Sequence, residues 1–260
     1  MPDKKPKVLI LATYYERPNL VKGFLRSLLA ADKHHDNWEL AFIDDGSSKP
    51  GRPIVERILK GHERKLRFYN SEMTADMKKL SGGTFIGKFM NDAIKASNAD
   101  MAIMVGDDDE IHPEYLSNIA RFFTANPDIN SCYSNVHVYN PLTEKTCNTH
   151  NLYSENPNWK GHAWFGKPIE CAYKVDSVQV AWRSSCNKML GAWFPYPIWI
   201  NHDALFFEEL NARCGKSTYT GFIAMFKGRH DGQLIKNIQA GRGAFGEGGM
   251  IDKPKEVLFL

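Results

Sequence analysis

The chain has 260 residues, of which 43% are hydrophobic and 24% charged, a balance that fits one large α/β domain or two fused halves. The net charge of +3 is too small to indicate nucleic-acid binding by itself, and no stretch approaches the roughly 18 to 20 apolar residues of a membrane span, so no transmembrane segment is predicted. The 5 cysteines are scattered and include no C-x-x-C pair, which favours reduced thiols and a cytoplasmic location over a disulfide framework or a zinc site. Nothing in the composition indicates the oligomeric state.

The first half of the chain alternates between predicted strands and predicted helices. Continuous apolar runs are typical of strands that are buried on both faces of a parallel sheet. Such alternation predicts right-handed βαβ units and a doubly wound sheet. The predicted strands are residues 7–13, 38–43, 66–69 and 101–105, and the predicted helices are 20–29, 54–59 and 85–96.

The second half has a looser pattern and no internal repeat. Pro113 is a plausible first residue of a helix that would bury Leu116, Ile119 and Phe123. Residues rich in Asn, Pro, Gly and Trp predict loops that could shape an acceptor pocket. Those loops are residues 140–167, followed by predicted strands at 175–181 and 218–226, a helix at 204–212, and a Gly-rich loop at 241–249.

Polar clusters follow three of the predicted strands, at residues 13–15, 44–45 and 107–109. Because ligands bind beyond the carboxyl ends of the strands in such sheets, these clusters should face one crevice. The run Asp107, Asp108 and Asp109 predicts a site for Mn²⁺ or Mg²⁺, which share their coordination with substrate phosphates. The alternative is a solvated acidic turn at the start of the next helix.

The other two clusters also allow a functional and a purely structural interpretation. Asp45 could accept a hydrogen bond from a nucleotide base or a ribose, but the segment 44–48 could equally form an Asx turn and a helix cap. Thr13 and Tyr15 could offer backbone groups and an aromatic face to a base, or they could only end the strand.

Several motifs together resemble those of family 2 glycosyltransferases with the GT-A fold, most closely the spore-coat polysaccharide synthesis type. They are KVLILATYY at 7–15, FIDDGSS at 42–48 and VGDDD at 105–109, supported by LRFYN at 66–70 and NDAI at 91–94. The resemblance covers residues 7–126 and resumes at 175–233. It implies an α/β GT-A fold, a Rossmann-like mixed sheet flanked by helices, in a single domain of two abutting halves. Residues 1–112 would bind the nucleotide-sugar, 113–235 would bind the acceptor and supply the catalytic base, and 236–260 would be a Gly-rich tail.

The resemblance also implies roles for single residues. Gly106 replaces the first Asp of the commoner D-x-D-D form, so which aspartate shares the metal stays open. In N-H-D at 201–203, His202 replaces the usual Glu, and Asp203 stands at the catalytic base, although it could be only a helix N-cap. The implied set is Thr13, Tyr15, Asp45, Lys79 and Asp107 for the nucleotide-sugar, Asp108, Asp109 and His230 for the metal, and Asp203 for catalysis.

The implied activity is metal-dependent, inverting transfer of a sugar from a nucleotide-sugar donor, typically UDP-linked, to a saccharide hydroxyl, with Mn²⁺ or Mg²⁺ as cofactor. One alternative acceptor is a hydroxylated base of nucleic acid, and basic residues would then contact its phosphates. Alternatives of another class are a nucleotidyltransferase, whose Gly-rich loop is absent after the first strand, and a non-catalytic sugar-binding module. The residues relevant to the acceptor are Trp159, Trp164, Trp182, Trp193 and Trp199 for stacking on sugar rings, and Lys160, Lys167, Arg183 and Arg229 for phosphates.

Overall fold

The computed structural model describes residues 5–139, 166–172, 174–187, 194–198 and 202–228. These residues form a mixed α/β structure around one eight-stranded sheet, with the strand order β3-β2-β1-β4-β7-β6-β8-β5. Helices flank the sheet, as the family resemblance implies. Within the described part of the chain, every helix is too short or too polar to cross a lipid bilayer.

The first half of the chain builds the parallel part of the sheet. Strand β1 pairs with β2 on one side and with β4 on the other, and β2 also pairs with β3. The helices between these strands cross over on both faces. The elements are β1 (Val8–Tyr14), α1 (Val21–Asp32), β2 (Trp38–Asp44), α2 (Arg52–Ile58), β3 (Leu66–Asn70), α3 (Ala75–Ser81), α4 (Ile86–Ala96) and β4 (Met101–Gly106).

The second half extends the same sheet with strands of mixed direction. Strand β7 runs antiparallel to β4 and β6, while β6 and β8 are parallel, and the short β5 pairs antiparallel with β8. The elements are β5 (Glu110–Ile111), α5 (Tyr115–Ala125), β6 (Ser131–Tyr139), β7 (Val180–Arg183), α6 (Ser184–Asn187), α7 (His202–Cys214) and β8 (Thr218–Gly228).

Alternate residues of β1 enter two different cores, which explains its continuous apolar sequence. Val8 and Ile10 pack with α1, α2 and α5 on one face of the sheet. Leu9 and Leu11 pack with α4, α6 and α7 on the other face. A strand that is covered on both faces needs apolar side chains at every position.

The structure departs from the predicted elements in the second half. The predicted strand at 175–181 begins only at Val180, because Asp176 caps a 3₁₀ helix at Ser177–Gln179. Val178 N donates to Asp176 Oδ1 (3.4 Å), and Asp176 N donates to Gln179 Oε1 (2.8 Å). Helices α3 and α6 and strands β5 and β6 are additional to the predicted elements. Residues 140–165 of the predicted loop at 140–167, and the whole Gly-rich loop at 241–249, lie outside the described residues.

Asn91 on α4 ties that helix to the segment before α7. Its amide nitrogen donates to Phe194 O (2.9 Å) and its amide oxygen accepts from Phe194 N (2.9 Å). Phe194 in turn stacks on Phe206 of α7, with ring centroids 4.1 Å apart. One buried amide therefore fixes the position of an aromatic cluster under the sheet.

Replacing Asn91 with alanine should lower the free energy of unfolding by about 2–3 kcal/mol, because two buried backbone groups lose their partners. Urea unfolding followed by circular dichroism measures this change. Asn98→Ala, which removes an exposed amide, is the matched control and should change the free energy by less than about 0.5 kcal/mol. Equal effects of the two variants would show that the Asn91 bonds contribute nothing specific.

Candidate active site

The carboxyl ends of β1, β2 and β4 lie side by side. Thr13, half-buried near the end of β1, is in register with Ile43 on one side and Gly106 on the other. Asp45 N donates to Tyr14 O (3.0 Å), which continues the pairing one residue past β2. The three polar clusters that the sequence places after strands therefore meet at one edge of the sheet.

The two aspartates after β2 have different surroundings. Asp44 accepts bonds from Ser47 N (2.9 Å) and Gly51 N (3.0 Å), so it closes the turn that leads into α2. Asp45 accepts bonds from Lys78 Nζ (2.8 Å) and Thr84 Oγ1 (3.2 Å). The structural interpretation of the segment 44–48 therefore applies to Asp44, which closes the turn. Asp45 bonds instead to Lys78 and Thr84 and stays the candidate for ligand binding.

Lys78 is the basic residue at this end of the site. Its side chain is 1% exposed, and Nζ lies 4.2 Å from the centroid of the Tyr15 ring as well as beside Asp45. Burial raises the pKa of Asp45, and the hydrogen bond and charge of Lys78 oppose that rise. Lys79, the lysine implied by the resemblance, has its side chain 41% exposed and 3.8 Å from Asp76.

Asp107 and Asp108 share one guanidinium. Arg17 Nη1 lies 2.8 Å from Asp107 Oδ1 and 3.1 Å from Asp108 Oδ2. Tyr15 N donates to Asp107 Oδ2 (3.1 Å), so both carboxylate oxygens of Asp107 are bonded to the loop after β1. Burial raises the pKa of Asp107 to about 7, with Arg17 lowering it and Asp108 raising it.

Asp109 is turned away from Arg17 and toward β8. Its Oδ2 accepts bonds from Lys227 Nζ (3.3 Å) and from Gly106 N (3.3 Å), and the residue is fully buried. Lys227 also lies 3.4 Å from Asp176 Oδ1. This lysine joins the acidic loop after β4 to the capped turn before β7.

Three buried carboxylates converge in this cluster. Asp107, Asp108 and Asp109 are each less than 8% exposed, and the described cations beside them are Arg17 and Lys227. Among the described residues no group of three or more His, Cys, Asp and Glu is arranged as a metal-binding set. Carboxylate oxygens are the ligands that Mg²⁺ and Mn²⁺ prefer, and one or two of these carboxylates could hold such an ion together with substrate phosphates.

Gly106 has a steric reason to be glycine. A Cβ at this position would lie 2.9 Å from Asp108 Oδ1 and 2.9 Å from Asp109 Oδ2. A fourth carboxylate here, as in the commoner D-x-D-D form, would crowd two others. The departure from the usual motif is thus matched to the positions of the neighbouring aspartates.

Helix α7 brings Asp203 toward the same crevice. The helix begins at His202, so Asp203 lies in its first turn and is not its N-cap; its Oδ1 accepts a bond from Ala204 N (2.9 Å). Burial lowers the pKa of His202, while the nearby carboxylates of Asp203 and Asp45 raise it. Thr84, which bonds to Asp45, also donates its backbone N–H to Ile198 O (3.1 Å), so the segment before α7 lies close to the Asp45 side of the site.

Several other residues that the sequence singles out lie outside the described part of the chain, and two have structural roles. His230, Trp159, Trp164, Trp193, Trp199, Lys160 and Arg229 lie outside the described residues. Trp182 is fully buried in the core, where it contacts Phe206 (5.0 Å between centroids). Arg183 donates to the carbonyl oxygens of Ile129 and Asn126 (2.8 and 3.0 Å), which is a structural role.

Three site residues were missed by reasoning from sequence, namely Arg17, Lys78 and Lys227. Arg17 follows Tyr15 by two residues in the loop after β1, so its charge beside an acidic crevice was an available signal. Lys78 depends on the existence of α3, which has its own local signals: Thr74 caps the helix by accepting a bond from Met77 N (3.2 Å), and Gly82 ends it at φ +79°. No local signal pairs Lys227 with Asp109.

The sequence profile of glycosyl transferase family 2 matches residues 8–190, about 70% of the chain. The chain belongs to this family. The matched segment contains the three strand ends and all three aspartates of the acidic run, and the remaining site residues Asp203 and Lys227 follow it.

Three similar proteins agree with the family and the fold. Protein CgeD of Bacillus subtilis (strain 168) is 27% identical over 212 residues, which are 79% of this chain and 46% of CgeD. S. aureus TarS 1–349 in complex with UDP-GlcNAc superposes with a TM-score of 0.62 at 18% identity, over 87% of this chain and 60% of that one. The mannosyltransferase PcManGT from Pyrobaculum calidifontis, in complex with GDP-Man and Mn²⁺, gives 0.58 at 14% identity, over 86% and 57%. The chain thus spans about half the length of these relatives.

Lys78→Met should lower the free energy of unfolding by about 3 kcal/mol near pH 8, because it leaves the Asp45 carboxylate buried without its ammonium partner. The pKa of Asp45 is already raised and would rise further, so the folded state would bind a proton that the unfolded state releases. Stability of the variant should therefore increase as the pH falls, and its deficit should be smaller at pH 5 than at pH 8. Urea unfolding at the two pH values measures both effects.

Lys79→Met is the control, since it removes the neighbouring exposed lysine of the same helix. It should change the free energy of unfolding by less than about 0.5 kcal/mol at either pH. If Lys78→Met matched this control, or if its deficit grew toward pH 5, the Lys78–Asp45 pair would not be the interaction described.

Proposed function

We propose that the chain is a glycosyltransferase that binds a nucleotide-sugar in the crevice at the carboxyl ends of β1, β2 and β4. The observation that carries this proposal is the meeting of Asp45, Tyr15 and the buried Asp107–Asp108 pair at one sheet edge. Membership of glycosyl transferase family 2 supports the same activity. Solved relatives of similar fold bind UDP-GlcNAc and GDP-Man with Mn²⁺, which supports a nucleotide-sugar donor.

Tyr15, Asp45 and Thr13 are the residues that we assign to the nucleotide base, with uracil as the preferred base. The buried Asp45 carboxylate is an acceptor for an N–H group, and the Tyr15 ring offers an aromatic face beside it. Lys78, which touches both residues, takes the basic position that the resemblance places at Lys79. The ribose then lies next to Asp107, which Tyr15 N and Arg17 hold in place.

Asp108 is the residue that we assign to a divalent metal, Mn²⁺ or Mg²⁺. Asp109 is less suited because Lys227 and Gly106 N already occupy its buried Oδ2. A bound metal would act as a Lewis acid that stabilises the leaving diphosphate. His230, implied as a further ligand, follows β8 by two residues and stays a prediction from the resemblance.

Asp203 is the residue that we assign as general base. Asp203 lies in the first turn of α7, and a carboxylate there can accept the proton of an acceptor hydroxyl. The hydroxyl oxygen would then attack the anomeric carbon opposite the diphosphate. Because this scheme uses one base and no carboxylate nucleophile, it predicts inversion at that carbon.

A saccharide hydroxyl is the acceptor that we favour. The nucleic-acid alternative relies on basic residues that contact phosphates, and the structure uses Arg183 to bind backbone carbonyls. The four described cysteines are buried free thiols, which is in keeping with a reducing, cytoplasmic setting.

Incubating the protein with Mn²⁺ and a panel of nucleotide-sugars, followed by an assay for released nucleoside diphosphate, tests the activity without knowledge of the acceptor. Slow hydrolysis of one donor, abolished by EDTA, is the expected result and would identify the sugar. Release of pyrophosphate would indicate a nucleotidyltransferase. Binding of a sugar without any release from any donor would indicate a non-catalytic module.

Asp203→Asn should lower the turnover of that donor by about 10² to 10⁴, because the amide cannot accept the proton, while the affinity for UDP stays within about twofold. Turnover and UDP titration calorimetry measure the two quantities separately. Glu208→Gln, which neutralises an exposed carboxylate of the same helix, is the control and should retain full turnover. Turnover of Asp203→Asn close to that of the control would remove Asp203 from the role of base.

Asp108→Ala should weaken binding of UDP in the presence of Mn²⁺ by at least about tenfold, since it removes the proposed metal ligand, and should leave binding in EDTA unchanged. Calorimetric titration with and without Mn²⁺ gives both values. Asp128→Ala removes an exposed aspartate after α5 and should behave as the unmodified protein. An unchanged Mn²⁺ effect in Asp108→Ala would place the metal elsewhere.

A further inference from the structure

A single nitrogen of Arg17 bridges the two aspartates that face the crevice. Nη1 is 2.8 Å from Asp107 Oδ1 and 3.1 Å from Asp108 Oδ2, and the arginine side chain is 25% exposed. The contact to Asp107 is a charge-assisted hydrogen bond, and the longer contact to Asp108 is an ion pair. Arg17 thus lies where a cation shared by these two carboxylates would lie.

The geometry points to Arg17 as a built-in counter-cation that competes with the divalent metal for Asp108 and has to release it before the metal can bind. This inference rests on the proposed function, in which Asp108 is a metal ligand. It goes beyond that function by assigning to one residue the control of metal affinity. Arg17 would act through Asp108 and is therefore a positioning residue.

The metal would compete with Arg17 at Asp108 more readily than at Asp107, because the neighbouring aspartates have other partners. Asp107 has a second partner in Tyr15 N (3.1 Å), so it can keep its place when the guanidinium moves. Asp109 is neutralised from the other side by Lys227, at 3.3 Å, and does not depend on Arg17 for a counter-charge. Release of Arg17 from Asp108 would therefore remove one cation from that carboxylate while Asp107 and Asp109 keep their other partners.

A released guanidinium would also lie next to any diphosphate that shares the metal. Arginine pairs well with phosphate oxygens through two parallel N–H groups. Metal and nucleotide would then help each other to bind: the metal frees Arg17 from Asp108, and the nucleotide gives Arg17 another anionic partner. The size of this mutual effect is the same measured from either ligand.

The test is the affinity for Mn²⁺ alone, measured by electron paramagnetic resonance of the free ion in the absence of nucleotide. Arg17→Gln removes the competing charge and should bind Mn²⁺ about tenfold more tightly than the unmodified protein. Arg17→Lys keeps the charge and should stay within about twofold of it. Arg26→Gln, on the exposed side of α1, is the matched control and should have no effect.

A second measurement addresses the coupling between the two ligands. The factor by which Mn²⁺ improves UDP affinity should be smaller in Arg17→Gln than in Arg17→Lys, whereas a merely structural defect would weaken both ligands together. Thermal unfolding of each variant verifies that it is folded. Because Arg17→Lys retains a cation beside Asp107 and Asp108, it keeps the inference testable even if Arg17→Gln does not fold.

Equal or weaker Mn²⁺ binding by Arg17→Gln would overturn the inference, and so would an Arg17→Lys variant that behaves like Arg17→Gln. The inference would also be overturned if the unmodified protein bound UDP equally well in Mn²⁺ and in EDTA and Arg17→Gln lost this binding. Arg17 itself would then be the cation that the nucleotide requires, in place of a metal. Mn²⁺ binding that follows the expected order without turnover of any donor would contradict the proposed activity and leave the role of Arg17 standing.

Discussion

The burial of three consecutive aspartates at the end of β4 is the constraint on which the rest of the site depends. Asp107, Asp108 and Asp109 are all less than 8% exposed, and buried carboxylates are tolerated only with counter-charges and hydrogen bonds. The structure supplies Arg17 from the loop after β1 and Lys227 from β8. The acidic run thereby connects the parallel and the mixed part of the sheet.

Much of the fold could be predicted because its parallel half has unusually clear local signals. Strands β1 and β4 are continuous apolar runs, and β2 is apolar from Leu40 to Ile43. Each is followed by polar residues, so both the strands and their convergence follow from sequence. Strand β6 lacks such a signal because it buries polar groups: Ser131 bonds to Ser217 (2.7 Å) and Ser134 to Thr220 (2.8 Å). These hydroxyls can be buried because residues in β8 and just before it provide their hydrogen-bond partners. That pairing is a tertiary contact, which the local sequence does not reveal.

The candidate site shows the same division between local and tertiary information. The acidic residues could be found because motif and strand end coincide, as at Asp45. Lys78, the basic partner of Asp45, could not be found in this way, because its position depends on which face of a short helix turns inward. Helix α3 buries that lysine and exposes Leu80, the reverse of the usual amphipathic arrangement. An ion pair with Asp45 overrides the hydrophobic preference, so periodicity points to the wrong residues in this helix.

Titration calorimetry of the unmodified protein with UDP, once in Mn²⁺ and once in EDTA, tests the central claim most directly. If the buried acidic run holds a divalent ion together with the donor diphosphate, binding should be readily measured in Mn²⁺ and at least about tenfold weaker in EDTA. Equal affinity in the two buffers, or no binding of any nucleoside diphosphate in Mn²⁺, would contradict the account.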